Sequence, residues 1–412
     1  MTATGSRPEV LVRPVVVFLA FAFAYFFSAL LRAVTATLAP VFSAELGLQA
    51  ADLGLLAGAY FLGFAALQLP LGSALDRFGP RRSLLALLLV AVLGCAAFAV
   101  APNLKALLAA RMLIGAGVAA CLMAPLTCYR RLFSHVAQLR ANSWMLMTGS
   151  LGMLASTLPV QWLLPTLGWR GLFWLLAGLL LVAMAGVAWW VPRDPADPGE
   201  GPSSETGYAA IARHPVFASM APLGFVLYGG MVAVQSLWAG PWLTRVCGWT
   251  ADEAAQGLFG INLAMLLAFL TWGMLMPRLV RKGVHAVRLM SWGLPLSIVL
   301  LAINVALGSQ AQAGMWALWC VSCTFVAVSQ PAVAAAFAPQ QAGRALSAFN
   351  LLIFAGVFCV QWGIGLLVDG MRRAGYSEVD AFRAAFGLFG IGVLASYLWF
   401  LRCVRQGVDN RA

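Results

Sequence analysis

The chain alternates between long apolar runs and short clusters of Gly, Pro and charged residues. Twelve runs stand out, near 15–42, 51–73, 83–101, 103–129, 141–165, 169–191, 216–243, 254–276, 287–307, 313–337, 345–368 and 382–403. An α-helix crossing a hydrocarbon core of about 30 Å needs roughly 20 mostly apolar residues, and these runs are of that order. They lack the period-two alternation of a barrel strand, and only helices or closed barrels satisfy every backbone group in lipid. The pattern predicts an all-α integral membrane protein of twelve transmembrane helices. The first run, from Val15, is too long for a signal-peptide core and has no small-residue cleavage site before a soluble domain, so it is expected to stay in the membrane.

The longest polar stretch, Pro192 to Pro215, contains RDPADPGEGPSSETG, whose Pro, Gly, Ser and acidic residues suit a linker. It divides the chain into a six-helix bundle over 1–191, a cytoplasmic linker over 192–215 and a second six-helix bundle over 216–412. Sliding one half over the other by 201 positions brings Pro40 onto Pro241, Gly47 onto Gly248, Asp52 onto Glu253, Gly72 onto Gly273 and Arg77 onto Arg278. These coincidences fall at helix ends, where Gly, Pro and charge have backbone or electrostatic jobs, and they imply a parallel duplication. Two such halves around an axis along the membrane normal, with a site between them near the midplane, is a known transporter architecture.

Composition sharpens this picture. Of 412 residues 62% are hydrophobic and 10% charged, against roughly 25% charged in soluble domains, which excludes a soluble globular protein. The formal charge is +12. In a soluble chain that would point to nucleic acid, but here eighteen of the 26 Lys and Arg fall in segments on the side of the termini, seven on the other side and Arg32 within a span. The positive-inside rule accounts for that excess, places both termini in the cytoplasm and removes the need for a nucleic-acid partner. The eight cysteines sit mostly in apolar runs and read as core residues, not as a disulfide framework. No nucleotide-binding loop, paired intramembrane carboxylates, His cluster or nucleophile–base pair is visible, so neither an enzyme, a cofactor nor a metal site is expected.

Between the second and third runs stands Gly72-Ser-Ala-Leu-Asp76-Arg77-Phe-Gly79-Pro80-Arg81-Arg82. It resembles the cytoplasmic loop signature of the major facilitator superfamily, G-x-L-x-D-R-x-G-R-[KR], departing at Ala74 and Pro80. Gly72 suits close helix approach, Asp76 at a helix end can take a charge-assisted bond, and Arg77, Arg81 and Arg82 hold the loop inside. The resemblance implies that this loop latches the outward-facing state, with Asp76 and Arg77 as the working pair. The second copy has Pro277 where the acid should be, so its latch is expected to be weaker or absent. Arg111-Met-Leu-Ile-Gly115-Ala-Gly117 is similar to the family's R-x-x-x-G-x-G element, which implies that Arg111 faces the cavity or pairs with another helix near the outer end of span four. Gly168-Trp169-Arg170-Gly171 also looks family-like. Span five lacks the Gly-Pro pair of the family's drug/proton antiporters, which lowers the odds of a multidrug exporter. The resemblance covers the whole chain and implies an alternating-access transporter of a bacterial inner membrane, working as a monomer.

Ionisable groups inside spans are costly and mark pathways. Away from helix ends there is one, Arg32, midway along the first run. An unpaired guanidinium there costs several kcal/mol, so it needs a carboxylate, water or an anionic ligand, and no acid is available at the same depth in the sequence. The expected cargo is therefore a small organic anion held by Arg32, as in anion transporters of the superfamily that place an Arg in the first helix. Structural bonding of Arg32 to carbonyls and water is the other reading. Tyr25, Tyr60, Gln68, Gln161, Gln235, Trp238, Asn262, Gln330, Asn350 and Gln361 are candidates to complete a wet cavity, with interhelical hydrogen bonding as their alternative role. Trp238 and Trp242 also suit an interfacial aromatic belt. A coupling proton would travel on the substrate or involve Asp76, and facilitated diffusion without coupling is the third reading. Two further cargo readings are Cu(I), on Met and Cys groups such as Cys320 and Cys323 at i, i+3, and export of a hydrophobic compound.

Overall fold

The structure, a computed structural model, describes residues 14–192 and 208–406. Helices dominate, and no strand occurs among the described residues. α1 is Pro14–Leu46, α2 is Ala50–Ala66 continued after a 40° bend by a helix from Gln68, α3 is Pro80–Ala99 and α4 comprises Leu104–Gly117 and Ala120–Leu132. α5 is His135–Ala155 and α6 is Leu158–Trp190. A short helix, Tyr208–Arg213, precedes α7, Pro215–Val246. α8 (Ala251–Arg281), α9 (Ala286–Leu307), α10 (Ala313–Ala335), α11 (Pro339–Arg373) and α12 (Glu378–Arg405) complete the bundle. Ten helices are long and apolar enough to cross a membrane, eleven with the bent α2. Most of the linker, residues 193–207, lies outside the described residues.

The corners are built where the sequence pattern places them. Gly47 and Gly248, 201 positions apart, both turn with positive φ, 65° and 73°, a conformation that costs side-chain-bearing residues steric strain. The helices that follow begin at Ala50 and Ala251 and are capped alike. The Gln49 N–H donates to Asp52 Oδ2 at 3.1 Å, and the Thr250 N–H donates to Glu253 Oε2 at 2.8 Å. Each carboxylate satisfies a backbone donor at a helix start and sits at the favourable end of its dipole. The duplication inferred from sequence is thus repeated in backbone geometry.

Three spans differ from simple apolar rods. The run expected over 141–165 is two pieces, because the helix stops at Ala155 and resumes at Leu158, and the chain turns only at Gly168, whose φ is 62°. At the break the Ser156 and Thr157 hydroxyls donate back to Met153 O and Leu154 O, each at 2.6 Å, and Thr37 of α1 donates to Ser156 O at 2.7 Å. A helix can break in lipid when hydroxyls take up the freed carbonyls. α7 contains three loosely wound stretches, Leu223–Tyr228, Val234–Trp238 and Trp242–Val246, a winding that recurs at functional sites. α10 tightens over Thr324–Val328.

Buried side chains fall into two clusters, one drawn almost wholly from α1 to α6 and the other from α7 to α12. Glycine lets backbones meet within the first cluster: a Cβ on Gly115 would strike the Tyr60 carbonyl of α2, and one on Gly117 would strike Ala91 of α3. Gly72 differs from expectation. A Cβ there would meet nothing within 4 Å, so close approach is not what glycine provides at that position.

Candidate functional site

Arg32 lies at mid-length of α1 and is half-buried. Tyr25 from the same helix, Tyr60 from α2 and Tyr228 from α7 surround its charge, and its guanidinium carbon is 5.9 Å from the centre of the Phe64 ring. No described carboxylate pairs with it, and its Nε is buried without a hydrogen-bond partner. The Tyr60 hydroxyl donates to Ser28 O at 3.1 Å. The Tyr228 hydroxyl donates to Gln330 Oε1 at 3.4 Å, and Gln330 Nε2 donates to Asn350 Oδ1 at 2.6 Å. Tyr228, whose oxygen lies in the field of Arg32, is thus tied by hydrogen bonds to Gln330 of α10 and through it to Asn350 of α11.

Arg111 stands on the other side of Tyr60. It is fully buried, 0% exposed. One Nη donates to Leu31 O at 2.9 Å, the other donates to Thr35 Oγ1, and the guanidinium carbon lies 5.4 Å from the centre of the Tyr60 ring. Of the two roles implied for it, the structure places Arg111 in the pairing one, against the α1 backbone.

The other sequence candidates divide into separate groups. Gln235 Nε2 donates to Asn262 Oδ1 at 3.0 Å, joining α7 to α8. Trp238 Nε1 donates to Gln361 O at 3.1 Å, and Gln361 Nε2 donates to Ser236 Oγ at 3.0 Å. Both Trp238 and Trp242 are buried in the second core, so neither forms an interfacial belt. Gln161 is far from Arg32 in the fold, bonded to Asp252 Oδ1 at 2.9 Å near the face opposite the termini. Gln68 Nε2 reaches only Phe64 O, one turn back, at 3.5 Å. Cys320 and Cys323 are buried in the second core, and no three His, Cys, Asp or Glu gather among the described residues.

In the expected latch, Gly79 turns with φ 79°, Arg77 lies over the Phe78 ring at 5.2 Å and Arg81 donates to Ala188 O of α6. Asp76 stands in the helix from Gln68, and its side chain lies outside the described residues.

The face opposite the termini is closed by contacts that sequence reading did not single out. Asp369, near the end of α11, accepts from the Ala50 N–H at 3.1 Å and the Ala51 N–H at 2.8 Å, capping α2. Arg245 donates to Ser43 Oγ at 2.5 Å, from the end of α7 to the end of α1. A Cβ on Gly54 would strike the Gln361 carbonyl and one on Gly365 the Ala50 carbonyl, while one on Gly240 would come within 2.6 Å of Ala36 O. Within the first half, Glu45 accepts from Trp169 Nε1 at 2.7 Å and Arg170 at 2.5 Å.

Two bundles of membrane helices thus meet around a half-buried cation, Arg32. The model of the Major Facilitator Superfamily matches residues 21–358, and this chain belongs to that family. Comparison with curated proteins finds no match. Among solved structures, a bacterial homologue of the human lysosomal transporter Spinster, inward-facing and unoccupied, superposes with a TM-score of 0.78 at 18% identity over 96% of this chain and 97% of that one. The D-xylose–proton symporter gives 0.74 at 14% identity over 93% and 96%. A POT family transporter in complex with 5-aminolevulinic acid gives 0.74 at 15% over 94% and 96%. At these identities the likeness is one of fold.

Proposed function

We propose that this chain is a secondary transporter that moves a small organic anion across a bacterial cytoplasmic membrane by alternating access. The observation that carries the reading is Arg32, whose buried Nε has no partner and whose charge meets no described carboxylate. A cation in that position is costly unless an anion arrives to balance it. Residues 1–191 and 216–412 act as the two rocking bundles and 192–215 as the link between them, with both termini in the cytoplasm. The contacts of Asp369, Arg245 and Gly240 at the opposite face support a state open toward the cytoplasm, and the 72–82 loop engages in the other state.

The test is a thermal-shift screen of the purified protein against carboxylates, phosphates and amino acids, repeated with Arg32→Gln. Anionic compounds are expected to stabilise the parent and not the variant. Equal stabilisation of both proteins by anions removes Arg32 from the site.

A further inference from the structure

We propose that the cargo carries a single negative charge on a flat apolar body, an aromatic monocarboxylate held side-on by Arg32; this rests on the anion reading above. The direction of three protons leads there. A phenol has one proton to give. Tyr60 gives its proton to Ser28 O and Tyr228 gives its own to Gln330 Oε1, so neither phenol has a second proton to give, and the Tyr60 oxygen is left to accept from the guanidinium. The side chains of Tyr25 and Tyr60 hydrogen-bond the guanidinium. The Nε–H remains buried and unpartnered, and together with the neighbouring Nη–H it forms the parallel fork that fits the two oxygens of one carboxylate.

The charge on offer is one. Arg111 is close by but fully buried and committed to Leu31 O, Thr35 Oγ1 and the Tyr60 ring. A second negative charge on the cargo would therefore enter a low-dielectric site without a partner, which is expensive. An ammonium group fares no better. Among the described side chains the carboxylates, Glu45, Asp52, Asp252, Glu253, Asp369, Glu378 and Asp380, all stand at helix ends on the face opposite the termini.

The body of the cargo is set by rings. Phe64 lies beneath the Arg32 guanidinium and meets Phe354 of α11 edge-on, with centroids 4.6 Å apart, so the two halves share one aromatic wall. Offset or edge-to-face contact with such a wall favours a planar ring over a branched or polar chain.

The experiment compares sodium benzoate with benzamide, phthalate, inorganic phosphate and L-phenylalanine at matched ionic strength, by thermal shift on the purified full chain. Benzoate is expected to raise the melting temperature by about 3 °C at concentrations far above its Kd, and the others by less than a third of that. Arg32→Gln abolishes the benzoate shift. Arg32→Lys, which keeps the charge but not the fork, weakens benzoate about tenfold. Phe64→Leu weakens benzoate about fivefold and leaves acetate unchanged. A larger shift with phthalate or phosphate, lost in Arg32→Gln, overturns the single charge while sparing the anion reading. A larger shift with phenylalanine overturns the exclusion of an ammonium group. Silence from benzoate, while another anion stabilises the parent and not Arg32→Gln, overturns the aromatic cargo alone. Equal stabilisation by benzamide and benzoate overturns both.

Discussion

Arg111 lies over the ring of Tyr60, 5.4 Å from its centre, while the hydroxyl of the same tyrosine faces Arg32. One side chain thus separates two cations, its face shielding the first and its oxygen meeting the second. The two functions can be separated by substitution. Tyr60→Phe keeps the ring over Arg111 and removes the oxygen, so the fold should survive while anion affinity falls by about 3- to 10-fold, the worth of one hydrogen bond near a charge. Tyr60→Leu loses both and should also melt earlier. Thermal melts with and without ligand distinguish the two outcomes.

Arg111→Gln removes a buried, hydrogen-bonded charge from between α1 and α4. A loss of about 2 kcal/mol of stability is expected, from the bond to Leu31 O and the ring contact. Differential scanning of the purified protein measures it; an unchanged melt would mean that water replaces both contacts.

The cap that Asp369 places on the start of α2 crosses from one half to the other. Asp369→Asn keeps the size but removes the charge that favours the helix N-terminus, about 1 kcal/mol. The population open at the face opposite the termini should rise about fivefold. Spin labels at residues 49 and 371 would report this as growth of a longer distance at the expense of the shorter one.

Gly240 lies against the Ala36 carbonyl, whereas a Cβ on Gly178 meets nothing within 4 Å. Gly240→Val should wedge α1 from α7 and abolish turnover without unfolding the bundles, with an effect in the same direction as Asp369→Asn. Gly178→Ala serves as its control, and should be neutral or gain a few tenths of a kcal/mol from helix propensity.

Gly149 of α5 makes room for the Tyr25 ring, whose Cε1 would lie 2.6 Å from a Cβ there. Gly149→Ala should displace Tyr25 from Arg32 and weaken anion binding, while Gly149→Ala combined with Tyr25→Phe should be no worse than Gly149→Ala alone. Binding measurements on the two variants check this coupling.

What the sequence disclosed follows the reach of its signals. Apolar run length gave the helices because lipid imposes a fixed span, and Gly47 and Gly248 were legible because left-handed turns select glycine. Arg32 was legible because a cation in an apolar run is costly. Tyr228 was not: it lies 196 positions from Arg32, in a run where a tyrosine is compositionally ordinary, and only the packing of α7 on α1 brings it near. The break at Ser156 and Thr157 carries no Gly or Pro at the break itself, and one of its three compensating hydroxyls, that of Thr37, is on α1. Asp369 stands near the end of α11, but its acceptor role depends on which helix start lies opposite.

The 201-position correspondence has a further consequence. It pairs Arg32 with Ala233, Tyr25 with Val226 and Tyr60 with Ile261. The duplicated ancestor's likeness endures at the corners and has been erased at the centre, where one bundle brings charge and its counterpart brings grease at matching stations. The anion proposed for Arg32 would thus meet charge from one bundle only, and from the other the phenol and amides of Tyr228, Gln330 and Asn350.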